Sequence, residues 1–291
     1  MLEKSGQATR LITTALAALK RRGISADVSI HNGHSWSSIG WRKARRDCGF
    51  QHGMQDSNTH ERAIHIMFHA IFRSGCKVSS FQIEQNYYGD HHLDGLENSI
   101  DLADSMQPQL HAFVDLRSLE LTFKEMPKQK TLDSLDSILG HLYCLGRLRV
   151  ELDCNPDSNS QDSRVGTEDV LASNTLLGSL RWTCLREIEL HNVCISQKRL
   201  VLMLKASQDC LEKLDFYYVC LRRGSWDFIL SWVRKNLHLN RLGLFALFEI
   251  DEDDHNEEGY YAWAWNGDRS VDFIGEHDVK SGLSELLSEG N

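Results

Sequence analysis

Apolar positions recur along this chain with two alternating periods. The clearest stretch is 182–224, where Cys184-Leu185-x-x-Ile188-x-Leu190 is followed 26 residues later by Cys210-Leu211-x-x-Leu214-x-Phe216. The same spacing appears at Leu116-x-x-Leu119-x-Leu121, Leu145-x-x-Leu148-x-Val150 and Leu239-x-x-Leu242-x-Leu244, with first leucines 29, 40, 26 and 28 residues apart. The last two apolar positions of each line alternate, which places them on one face of a strand. Between the lines lie helix-like runs: Leu132 to Tyr143, about Glu168 to Leu180, Leu200 to Ala206, and Trp226 to Asn236. Upstream, the pattern predicts a helix over 2–22, a short strand at Val28 and Ile30, and a helix from His60 to Arg73. A strand from Val78 to Ile83 and a helix from Leu96 to Leu110 follow.

One strand and one helix at a fixed period cannot bury their own apolar face, whereas stacked units form a continuous core. Strands separated by helices are expected to be parallel, with right-handed crossovers. The expected fold is therefore α/β, a curved solenoid with strands on the concave side and helices on the convex side. The expected divisions are 1–75, an N-terminal part of degenerate first repeats; 76–250, the array, with a polar insert at 153–168; and 251–291, an acidic loop and a C-terminal cap.

L-x-x-L-x-L units of this length resemble the longer leucine-rich repeats. The register Cys210-Leu-Glu-Lys-Leu-Asp-Phe, with Gly224-Ser225-Trp226 opening a helix, is similar to the repeat domains of fungal F-box-type proteins over about 76–250. That resemblance implies target recognition for a cullin-based ubiquitin ligase, with the adaptor bound at the F-box. An F-box begins with a Leu-Pro pair in an N-terminal helical segment. Neither a leucine before any of the three prolines (Pro108, Pro127, Pro156) nor a proline in the first hundred residues is found. A cullin adaptor is thus expected as partner only if such a segment precedes this one. The family also places Asn or Cys three residues after the third apolar position, where the side chain satisfies the turn. Here those positions hold Lys124, Asp153, Val193, Val219 and Leu247.

Composition narrows the function classes. The net charge of −9 divides unevenly, since residues 1–50 hold nine Lys/Arg against three Asp/Glu and seven acids crowd into 249–258. An acidic chain is a poor binder of phosphate backbones, so nucleic acid is not an expected partner. No apolar run reaches the roughly 20 residues of a membrane span, and a charged flank follows Leu19, so an intracellular, cytoplasmic or nuclear protein is expected.

Chemical motifs are sparse. His65 and His69 have zinc-ligand spacing on a helix, but Ile66 stands where a metalloprotease needs Glu. The acidic run from Asp251 to Glu258 lacks the Gly and Glu of a calcium loop, having Asn256 and Ala262. The pairs Cys144/Cys154, Cys184/Cys194 and Cys210/Cys220 flank strands, which separates the two sulfurs of each pair too far for a disulfide. No cofactor is expected, and the chain is not expected to be an enzyme. The alternative is a hydrolase or metal-dependent enzyme sited in the His/Asp/Asn-rich 31–95 region. The expected functional surface is the concave strand face, formed by Glu120, Arg147, Arg149, Glu187, Glu189, His191, Lys213, Asp215, Tyr217, Arg241 and Phe245, with a protein as partner.

Overall fold

The computed structural model describes residues 6–31, 58–84, 111–123, 142–152, 182–250, 262–263 and 271–289. The helices predicted over 96–110, 132–143 and 168–180, the insert 153–168, and the acidic run 251–258 fall wholly or almost wholly outside these ranges.

Helix α1 (Gln7–Arg21) leads into strand β1 (Ala26–His31), and α2 (Asn58–Ser74) into β2 (Val78–Glu84). Strands β3 (Ser118–Phe123), β4 (Arg147–Leu152) and β5 (Glu187–His191) follow. The next units are complete: β6 (Cys194–Ser196), α3 (Gln197–Ala206), β7 (Lys213–Tyr217), β8 (Cys220–Arg222), α4 (Trp226–Asn236), β9 (Arg241–Phe245) and β10 (Phe248–Ile250). The chain closes with β11 (Ala262–Trp263), β12 (Val271–Ile274) and α5 (Glu276–Glu289).

Eight strands form an open sheet in the order β1-β2-β3-β4-β5-β7-β9-β12, parallel throughout except for β12, which runs antiparallel to β9. The alternating leucines explain the register. Phe81, Leu119, Leu148, Ile188, Leu214 and Leu242 are successive cross-strand partners, as are Ile83, Leu121, Val150, Leu190, Phe216 and Leu244. All are buried. A one-residue slip of any strand would turn its apolar set away from the core, so burial fixes the register. The first leucine of each line, from Leu116 to Leu239, is buried just before its strand. There the backbone forms a staircase: Gly146 O accepts from Arg186 and Glu187, Arg186 O from Glu212 and Lys213, and Glu212 O from Asn240 and Arg241.

A second, four-stranded sheet in the order β11-β10-β8-β6 stands at the far end of the repeats. Its strands β6, β8 and β10 are parallel, and it resolves the missing turn asparagine. After β5, β7 and β9 one residue takes a left-handed conformation: Asn192 (φ 53°), Tyr218 (φ 54°) and Ala246 (φ 50°). The next residue, Val193, Val219 or Leu247, is buried. The turn groups are then satisfied by backbone: Asn192 N donates to Tyr217 O, Tyr218 N to Phe245 O, Cys220 N to Val193 O, and Phe248 N to Val219 O, at 2.9–3.0 Å. A backbone ladder does what a side-chain ladder would do, so an apolar residue is tolerated at each of these turns.

The helices start where caps require. Ser196 accepts from Arg199 N at the head of α3, and Ser225 from Asp227 N at the head of α4. Glu249, on the following repeat, accepts from Trp226 N at 2.6 Å, and the Trp226 indole donates to Phe248 O at 2.9 Å. One repeat thus caps the helix of the one before it. At the other end of the sheet, Phe68, Phe72, Phe81 and Phe113 form an aromatic cluster with centroids 5.3–6.1 Å apart.

A candidate interaction face on the eight-stranded sheet

The residues alternating with the buried leucines lie on the opposite face of the sheet, in three rows set by the pairing. The row at the strand starts reads Ser118, Arg147, Glu187, Lys213, Arg241 and Ile274; the central row reads Glu120, Arg149, Glu189, Asp215, Gly243 and Asp272. The third reads Thr122, Glu151, His191, Tyr217 and Phe245. All eleven residues singled out from the sequence therefore share one face. From β3 to β12 it carries six carboxylates (Glu120, Glu151, Glu187, Glu189, Asp215, Asp272) and four Lys/Arg (Arg147, Arg149, Lys213, Arg241).

These charges are knitted together. Arg149 lies 2.9 Å from Glu151, 3.2 Å from Glu189 and 3.5 Å from Glu120, so one guanidinium ties three strands. Arg147 stands 3.7 Å from both Glu187 and Glu189. His191 Nε2 is 2.9 Å from Glu189 Oε1, and Lys213 is 2.8 Å from Asp215. Arg241 donates to both carboxylate oxygens of Asp272, at 3.1 and 3.2 Å.

The hydrogen bond from His191, working against partial burial and aided by Arg149 and Lys213, holds the Glu189 carboxyl at about 2. Glu189 is therefore charged wherever the protein is folded at ordinary pH. Burial, then the Asp215 carboxylate, pushes the Tyr217 phenol up. Tyr217 serves as a neutral hydroxyl and a ring.

Rings occupy the third row. His191 and Tyr217 stack at 4.5 Å with an interplanar angle of 20°. Tyr218 meets Phe245 edge-on at 5.0 Å, and is 43% exposed despite its left-handed backbone. The sequence pattern does not single out Tyr218 or Asp272. Tyr218 occupies a turn, and Asp272 sits on a four-residue antiparallel strand outside the repeat.

Asp215 departs from the rest of the face. It is only 1% exposed, and it fits because Gly243 beside it has no side chain: a Cβ there would come within 2.5 Å of Asp215 Oδ1. Asp215 Oδ1 and Arg149 Nε are buried atoms without a hydrogen-bond partner, Arg241 Nε standing 3.9 Å from that Asp215 oxygen.

The other sequence candidates are placed as follows. Among the described residues no group of three His, Cys, Asp or Glu is arranged to hold a metal ion, and no helix is long and apolar enough to cross a membrane. Most of 31–95 with its His, Asp and Asn residues lies outside the described ranges, as does the side chain of His65. None of the described cysteines is in a disulfide. Cys194 and Cys220 are cross-strand partners in the second sheet; the hydrogen bond between their thiols, with burial, pushes the Cys220 thiol far up. The pairs Cys184/Cys194 and Cys210/Cys220 thus contribute one cysteine each to a buried inter-repeat contact, while Cys184 stays exposed at the strand entry. Against known proteins, no family model matches the chain and no curated protein matches it.

Proposed function

We propose that this chain is a leucine-rich-repeat-like solenoid acting as a non-enzymatic protein-interaction scaffold, with the polar face of the eight-stranded sheet as its binding surface. What carries the reading is the continuous array on that face: ion pairs spanning adjacent strands, held in register by the buried leucines, beside partly exposed rings. Rigid, preorganised charges and aromatic groups lose little freedom when a partner docks, and aromatic and Arg side chains dominate protein-interface energetics. The sequential strand order and two stacked ladders are what a solenoid requires.

The test is affinity capture from cell extract with the wild-type chain and with R147E/R149E/Y217A. Loss of specific captured proteins with the triple variant supports the scaffold; an unchanged set overturns it. The resemblance to F-box-type repeat domains extends the proposal to target recognition for a ubiquitin ligase. Capture of an adaptor–cullin complex would support that extension, and its absence from the wild-type capture would count against it.

A further inference from the structure

We propose that the polar face receives an arginine-bearing segment of its partner, the guanidinium seating on Tyr217 and Phe245 and held by carboxylates of the central row. The inference rests on the scaffold reading and names the chemistry of the partner.

The charge arrangement on the face carries it. Carboxylates outnumber Lys/Arg six to four, and each of the four cations already has a carboxylate of the same face within 4 Å. An acidic partner would meet cations whose charge is already compensated. A cationic partner meets the surplus. That surplus is two charges over the face: Arg147, Lys213 and Arg241 of the first row pair with Glu189, Asp215 and Asp272 of the central row, while Arg149 is shared among Glu120, Glu151 and Glu189. The third row supplies rings: Tyr217 and Phe245 are direct cross-strand partners. A flat, weakly hydrated guanidinium stacks on such rings while its edge donates to carboxylates, which a compact ammonium does less well. Asp215 adds an independent indication. A carboxylate accepts about four hydrogen bonds, yet its Oδ1 is buried without a donor while Lys213 engages the other oxygen.

The experiment is an anisotropy titration of the full chain with labelled Gly-Ser peptides carrying four Arg, four Lys or four Glu. The Arg peptide should bind saturably and more tightly than the Lys peptide, and weaken as salt is raised. E189Q and D272N should each weaken it about three- to tenfold. Y217L/F245L should weaken it about tenfold or more. E285Q, an identical charge change on α5, should change it less than about twofold. Equal losses in E285Q and E189Q would mean diffuse attraction to an acidic protein and would overturn the proposal. So would absence of saturable binding. Preference for the Glu peptide, abolished by R147E/R149E, would leave the face an interaction surface and remove only the cationic partner. Capture insensitive to every face variant would remove both.

Discussion

Arg149→Met removes a guanidinium that ties three strands while keeping a long apolar stem. Its contribution can be worked from the geometry. The bond to Glu151 at 2.9 Å is charge-assisted and half-buried, worth about 1 kcal/mol. Glu189 is held at about 2 from an ordinary 4.5, a shift shared among His191, Arg149 and Lys213. Each unit corresponds to about 1.4 kcal/mol, so a one-third share discounted for solvent screening is again about 1 kcal/mol. Glu120 at 3.5 Å adds about 0.5 kcal/mol, and the relieved burial of the cation subtracts a similar amount. The expected loss is about 2 kcal/mol at pH 7. A carboxyl with a depressed folded pKa stabilises above its unfolded value, and that stability drains away as pH falls through the folded value. Glu189 keeps its charge down to its folded value, so the gap to R149M should persist at about pH 4 and shrink by more than half only as pH falls to about 2. Urea unfolding at low ionic strength measures this without the screening that guanidinium chloride imposes. A gap as large at about pH 2 as at neutral pH would assign the loss to the packing of the Arg149 stem. A gap below about 0.5 kcal/mol at pH 7 would dismiss the network as a source of stability.

Gly243→Ala should destabilise by about 1–3 kcal/mol, because the new methyl meets the Asp215 carboxylate; D215A should recover part of the loss in a double-mutant cycle, and additive effects would refute the contact. Tyr218→Asn should leave stability unchanged or raise it by up to about 1 kcal/mol in urea melts, since Asn accepts a left-handed backbone more readily; a clear loss would mean that the ring contact with Phe245 outweighs the backbone strain. Alkylation followed by peptide mass mapping should label Cys144 and Cys184 quickly, and Cys76, Cys194 and Cys220 only after urea is added; early labelling of Cys220 would contradict its burial.

The strand ladder was legible in the sequence because its cause is burial, and burial of Leu148, Ile188, Leu214 and Leu242 leaves a spacing that reads directly. The polar face followed from the same alternation. Four features had no such trace. The short strands at Cys194, Cys220 and Phe248 are three residues long, too brief to alternate, and a backbone ladder leaves no side-chain signature. The strand at Val271–Ile274 runs antiparallel and stands outside the repeat, so its Asp272 did not join the candidate face. The last helix, Glu276–Glu289, forms where the sequence pattern gives only a C-terminal cap, and Gly282 within it sits under the Phe273 ring. Asp215 looked like a displayed charge because its burial depends on a glycine 28 residues away.

The paired ladders also constrain how this chain can change length. Each of the last three units is pinned at both ends of a ten-residue block, 187–196, 213–222 and 241–250. Adding or removing a residue inside a block would break one ladder or reverse which residues face the core. The spacing between blocks is free to differ, and it does: one return segment runs 197–212 and the next 223–240. Insertions should therefore be tolerated after a block and rejected within one. A library of single-residue insertions and deletions, sorted for folded protein, would then show quiet ten-residue windows separated by permissive ones, a ruler for the repeat that owes nothing to leucine.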